Sequence, residues 1–118
     1  MIVIITDAPL DARNLKRLAK RGIMGLAKTG GIASNGSGDY VIACSNAKEN
    51  LIGYSDSTIF HTIRVLRNDA LTPLFMAAIE ATEEAIINSL FAAKTMTGRD
   101  GREVKAIPLK QILELMGN

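Results

Sequence analysis

Cysteine is all but missing from the 118-residue sequence: Cys44 stands alone, so no internal disulfide can form, and a reducing compartment suits the chain. Histidine is as scarce, His61 being the only one, and no carboxylates stand at ligand spacing around it or around Cys44. A zinc site is therefore excluded, and neither a metal nor another cofactor is expected. Tryptophan is absent, aromatic residues make up 4%, and 14 basic against 12 acidic residues leave a net charge of only +2. A charge so small and dispersed, with no aromatics interleaved for stacking, argues against nucleic acid as a partner. No apolar run approaches the ~18 residues needed to span a bilayer, and Met1-Ile2-Val3-Ile4-Ile5 is too short, and lacks the basic start, of a signal peptide. A soluble cytoplasmic protein with no membrane partner is expected.

What remains is 47% hydrophobic and long enough for one domain with a core. Ile2 to Ile5 is a continuous β-branched run ended by Thr6-Asp7-Ala8-Pro9, which predicts a strand buried on both faces inside a sheet. Asp11 is a candidate N-cap for a helix over about 12–28. Leu15, Leu18, Ala19, Gly22, Ile23 and Leu26 recur at helical spacing there, while Arg13, Lys16, Arg17, Lys20 and Arg21 fall mostly elsewhere and read as a solvated face. Thr29-Gly30-Gly31 ends that helix. Val41-Ile42-Ala43-Cys44 predicts a second strand, with Cys44 as a small buried hydrophobe. Residues 46–58 are polar and read as a loop, and Ile59 to Leu66 includes a short extended segment.

Thr72-Pro73 marks a helix start, with Thr72 as N-cap and Pro73 at the first helical position. The helix runs to about Lys94 and is apolar nearly all round, which predicts burial between layers. Inside it, Ala81-Thr82-Glu83-Glu84 resembles a second N-cap, with a kink or break there and both glutamates serving the helix dipole. Turn chemistry at residues 97–102 precedes a short alternating segment, Glu103 to Ile107. Pro108 opens a last helix whose apolar side is Leu109, Ile112, Leu113 and Met116. Neither internal repeats nor a linker interrupt the chain, so residues 1–118 are expected to form a single domain.

The stretch with chemical content is Ser34-Asn35-Gly36-Ser37-Gly38-Asp39-Tyr40, where a lone hydroxyl stands between two glycines just before a strand. Two readings are open. One is an ordinary loop that hands the chain into a strand. In the other, the Ser37 hydroxyl attacks the carbonyl of Gly36, which has no side chain to block it, and splits the Gly36–Ser37 bond. The freed α-amine, with a pKa of ~7.7–8, would then act as base for its own hydroxyl, and no histidine is needed. His61 is accordingly read as incidental. A phosphate loop is excluded because the glycines precede a strand rather than open a helix. A Gly-x-Ser-x-Gly elbow is excluded because Gly36 and Gly38 flank Ser37 directly.

Taken with Ile4-Ile5-Thr6-Asp7-Ala8-Pro9-Leu10, with Glu80 through Leu90, and with Thr97-Gly98-Arg99-Asp100-Gly101, the Ser34–Ala43 stretch resembles the C-terminal part of the DmpA family. These are the L-aminopeptidase/D-esterases and β-peptidyl aminopeptidases of peptidase family S58. The resemblance implies an αββα layered sandwich, like that of DmpA and ornithine acetyltransferase, of which only the C-terminal part is present. Residues 1–36 would end the α-subunit-like part, and 37–118 would form the β-subunit-like part that begins at the nucleophile. It implies self-cleavage at Gly36–Ser37, with Ser37 as catalytic nucleophile and with Thr82 and Glu84 orienting the site; the plain alternative keeps Thr82 as a cap and the glutamates as dipole partners. Two residues apart on a regular helix, Thr82 and Glu84 point in nearly opposite directions, so both face Ser37 only near a helix end or break.

The substrates implied are peptides, amides or esters that lose their N-terminal residue. The family's site tyrosine, oxyanion asparagine and much of its substrate pocket belong to an N-terminal two-thirds with no counterpart in these residues. The expected partners are that missing part or another protomer, and a homo-oligomer. A chain so shortened is expected to lack activity alone. The rival expectation is a truncated, non-catalytic module that serves structure or oligomerisation.

Overall fold

The computed structural model describes residues 1–117. Its elements run β1 (Ile2–Thr6), α1 (Ala12–Lys28), β2 (Val41–Ser45), α2 (Thr72–Ala92), β3 (Met96–Thr97), β4 (Glu103–Val104) and α3 (Leu109–Met116). The expected mixture of helices and strands is present. The chain divides into two compact units, Met1–Glu83 and Glu84–Asn118.

In the first unit, β1 and β2 pair in parallel, from Ile2 opposite Val41 to Thr6 opposite Ser45. Parallel neighbours need a crossover, and α1 supplies it. Asp11 caps α1 as expected, its carboxylate accepting the Asn14 N–H at 2.8 Å. At the other end the Thr29 hydroxyl donates to the Leu26 carbonyl at 2.8 Å, and Gly30 takes a φ of 90°, where a Cβ would be strained. Because β1 and β2 lie on opposite sides of the Gly36–Ser37 bond, their ladder would hold the two parts together were that bond cut.

The sheet is one-sided. Ile2, Ile4 and Thr6 alternate with exposed Val3 and Ile5, just as half-buried Val41, Ala43 and Ser45 alternate with exposed Ile42 and Cys44. Two expectations are thereby corrected: β1 is not buried on both faces, and Cys44 is exposed rather than buried. Successive side chains of a strand point to opposite faces, and here the helices cover one face only. Val3, Ile5 and Ile42, at 53%, 66% and 54% exposure, form an open apolar surface. Such a surface drives association, so the isolated chain should elute from a size-exclusion column ahead of a monomer standard. A sharp monomer peak would show that water tolerates this face.

The core gathers Leu10, Leu18, Leu71 and Ala78, with Ile4, Ala43 and Phe75 among the side chains packed against it. Two glycines let α1 approach its neighbours. A Cβ on Gly22 would lie 3.0 Å from Val41 Cγ1, and one on Gly25 would lie 2.6 Å from the Ile79 carbonyl oxygen and 2.7 Å from Thr82 Cβ. The second clash is with backbone and a branched side chain that cannot swing away. Gly25→Ala should therefore destabilise this unit by about 1–3 kcal/mol, read from the urea midpoint. Gly36→Ala, which meets nothing within 4 Å, should change stability little.

The arginines of α1 are not merely solvated. Arg13 and Arg17 both donate to Asn68 Oδ1, at 3.0 and 2.9 Å, and the Arg21 guanidinium lies 3.9 Å from the centre of the Phe75 ring. They clamp the approach to α2. Residues 59–66 form no strand; the Asn50 side chain instead holds them, accepting the Arg64 N–H at 2.9 Å and donating to its carbonyl at 2.8 Å. Helix α2 buries only Ala78 and Thr82, while Met76, Ile87, Leu90 and Phe91 are exposed, so its all-round apolar character does not mean all-round burial.

The second unit holds a small antiparallel hairpin, with Met96 opposite Val104 and Thr97 opposite Glu103. Its turn places Asp100 and Gly101 at φ 60° and 71°, the Asp-Gly chemistry of a tight reversal. Helix α3 follows Pro108 as expected, and its Leu109, Leu113 and Met116 are exposed. Among the described residues, no helix is long and apolar enough to cross a membrane.

Candidate active site

The segment between α1 and β2 is tied at both ends. Gly31 donates its N–H to the Leu26 carbonyl at 3.2 Å, and the Tyr40 carbonyl accepts the Ile2 N–H at 2.8 Å. Between these ties it is exposed throughout. The Ser37 N–H donates to the Ser34 carbonyl at 2.8 Å, closing a turn with Asn35 and Gly36 at its centre. Ala33, just before the turn, has a φ of 48°, a left-handed conformation that costs a non-glycine residue about 1–2 kcal/mol.

Ser37 does not begin the strand itself. It closes the turn, and Gly38, Asp39 and Tyr40 separate it from β2. Its hydroxyl donates to Asp39 Oδ2 at 2.6 Å, the short distance of a charge-assisted O–H···O⁻ bond. A Cβ on Gly36 would meet nothing within 4 Å, so the carbonyl side of the Gly36–Ser37 bond is unobstructed. An exposed hydroxyl, a carboxylate drawing on its proton and a bare neighbouring carbonyl are the elements of nucleophilic attack.

Thr82 is buried at 5% exposure, and its hydroxyl donates to the Ala78 carbonyl at 2.7 Å. The expected second N-cap and break are therefore corrected: α2 runs unbroken from Thr72 to Ala92, and Thr82 bonds back one turn instead of capping forward. On this continuous helix Thr82 and Glu84 project about 200° apart. Neither glutamate stands at a helix N-terminus, so dipole compensation accounts for neither. Glu83 instead makes an ion pair with Lys28 of α1, whereas Glu84 is exposed and, among the described residues, no ion pair reaches it.

The structure thus joins Ser37 to Asp39, Thr82 to the α1–α2 crossing at Gly25, and Glu83 to Lys28; among the described residues, no hydrogen bond joins Ser37 to Thr82. His61 lies with Nδ1 3.7 Å from Asp56 Oδ2. The Thr58 backbone N–H and hydroxyl hold the Asp56 carboxyl below its ordinary pKa. Asp39 is the residue to which sequence reasoning gave no role. The signal is its spacing, two residues after the candidate nucleophile, which lets the turn bring its carboxylate back onto the Ser37 hydroxyl.

Comparison with known proteins shows the family. The family model of peptidase family S58 matches residues 1–104. The β-peptidyl aminopeptidase BapA of Sphingosinicella microcystinivorans is 40% identical over 116 residues, which are 98% of this chain and 29% of BapA. The solved structure of the PH0078 protein from Pyrococcus horikoshii OT3 matches at TM-score 0.83 and 47% identity, covering 98% of this chain and 32% of that one. The L-aminopeptidase D-Ala-esterase/amidase of Ochrobactrum anthropi, a prototype for the serine aminopeptidases and a variant of the Ntn hydrolase fold, matches at 0.79 and 31%, covering 98% and 33%. This chain spans about three-tenths of the length of BapA. Its α/β architecture is that of part of an Ntn-hydrolase-type fold, and the chain belongs to peptidase family S58.

Proposed function

We propose that this chain supplies the nucleophile of a self-processing serine aminopeptidase, which splits its own backbone at Gly36–Ser37 and then releases N-terminal residues from peptides, amides or esters. After cleavage the Ser37 hydroxyl attacks the substrate carbonyl while the Ser37 α-amine takes its proton, and water hydrolyses the resulting acyl-enzyme. Of Thr82 and Glu84, which the continuous α2 turns to different sides, Glu84 is exposed and free of an ion pair among the described residues, and it orients the site in the complete protein. A further N-terminal part of the same protein, or another protomer of a homo-oligomer, contributes the oxyanion donors and the substrate pocket.

The observation that carries this reading is Ser37 itself, exposed in an open turn with its hydroxyl held by a carboxylate at 2.6 Å. It is tested with the protein expressed from its complete gene and p-nitroanilides of amino acids, free or acetylated at the amine. Release of p-nitroaniline from the free amines alone is expected. No release, or equal release from blocked substrates, contradicts an aminopeptidase. The open apolar face of Val3, Ile5 and Ile42 favours a second reading, a non-catalytic module that pairs with another chain. Under that reading no substrate turns over, although a partner co-purifies.

A further inference from the structure

We propose that Asp39 is the catalytic base of the self-processing step, an inference that rests on the reading of Ser37 above. The α-amine that serves as base in turnover does not exist before cleavage. In the uncut chain the Ser37 nitrogen is a peptide amide bonded to Gly36, and its N–H donates to the Ser34 carbonyl. It has no basic lone pair. Another group must take the hydroxyl proton, and the one hydrogen-bonded to that hydroxyl is Asp39 Oδ2 at 2.6 Å, inside the reach of direct proton transfer. His61, the only histidine, turns Nδ1 toward Asp56 instead. Asp39 is exposed, and among the described residues the Ser37 hydroxyl is its side-chain hydrogen-bond partner and no ion pair reaches it.

The step balances. Ser37 Oγ bonds to the Gly36 carbonyl carbon as its proton passes to Asp39, giving a tetrahedral oxyanion. The carbon–nitrogen bond then breaks, Asp39 returns the proton to the departing nitrogen, and an ester links Gly36 to the Ser37 oxygen. Water attacks the ester carbon and releases the Gly36 carboxylate and the Ser37 hydroxyl, so one water is consumed in all. The nitrogen is now an amine, and the base of turnover has been made by the reaction.

The experiment uses the protein from its complete gene, made by cell-free synthesis and followed by intact mass. Asp39→Asn keeps the size and an acceptor oxygen but not the proton affinity, and should slow cleavage at least about 10²-fold; Asp39→Glu should restore part of the rate.

If Asp39→Asn is cut at the wild-type rate while Ser37→Ala stays whole, Asp39 is not the base and Ser37 keeps its role. If the wild type stays whole, both readings fall. Should Asp39→Asn fail to fold by circular dichroism, Asp39→Glu decides: a folded Asp39→Glu protein that cuts at a measurable fraction of the wild-type rate supports the carboxylate, and a folded one that stays whole overturns it.

Discussion

In the protein expressed from its complete gene, Ser37→Ala should remain one polypeptide and lose turnover on the order of 10⁶-fold, the scale expected when a serine hydrolase loses its nucleophile. Both losses have one cause, since the same oxygen opens the Gly36–Ser37 bond and later the substrate. Stability should hardly move. The Ser37 side chain is exposed and, among the described residues, bonds to Asp39 two positions on, and surface changes of this kind stay within about 0.5 kcal/mol. A loss of activity with an unchanged melting curve is thus a chemical effect and not an unfolded protein. Mass spectrometry of the wild type beside Ser37→Ala, with the p-nitroanilide assay on both, checks the prediction. Equal cleavage in the two proteins would assign the cut to some other agent.

Glu84→Gln should lower turnover by roughly 10²–10⁴-fold, the value of a positioned acid–base group, while Glu83→Gln leaves it near wild type. The structure makes Glu83 an instructive control. Its carboxylate is engaged by Lys28 at a partly exposed site, so neutralising it removes an ion pair worth about 0–1 kcal/mol and should lower stability slightly. Glu84 has no such pair among the described residues and no helix terminus to compensate, so a structural reason for its charge is lacking. Steady-state rates set beside urea midpoints separate the two roles. Equal small effects from both substitutions would remove Glu84 from the site.

What could be read from the sequence was local. Asp11 as a cap, the extent of α1, the turn within residues 97–102 and the helix after Pro108 each depend on residues close to one another in the chain, and each is found. What could not be read depended on distant coverage. The β-branched run at Ile2 carries the composition of a doubly buried strand, but which faces are covered depends on elements outside the run, and here one face is open. Ala81-Thr82-Glu83-Glu84 has the composition of a cap, yet helical residues precede it, so the Thr82 hydroxyl finds the Ala78 carbonyl and the helix continues. The arginines of α1 read as a solvated row because Asn68 and Phe75, their partners, lie far along the chain. In the site, Ser37 was legible from its glycines, while the Asp39 contact required the turn itself.

The central claim is that Ser37 becomes an amino terminus by its own chemistry, and N-terminal sequencing of the purified protein from its complete gene tests it most directly. The account predicts two polypeptides, the second beginning Ser37-Gly38-Asp39-Tyr40, in wild-type material, and one uncut polypeptide in Ser37→Ala. A fully active wild-type protein whose chain is continuous through Gly36–Ser37 would contradict it.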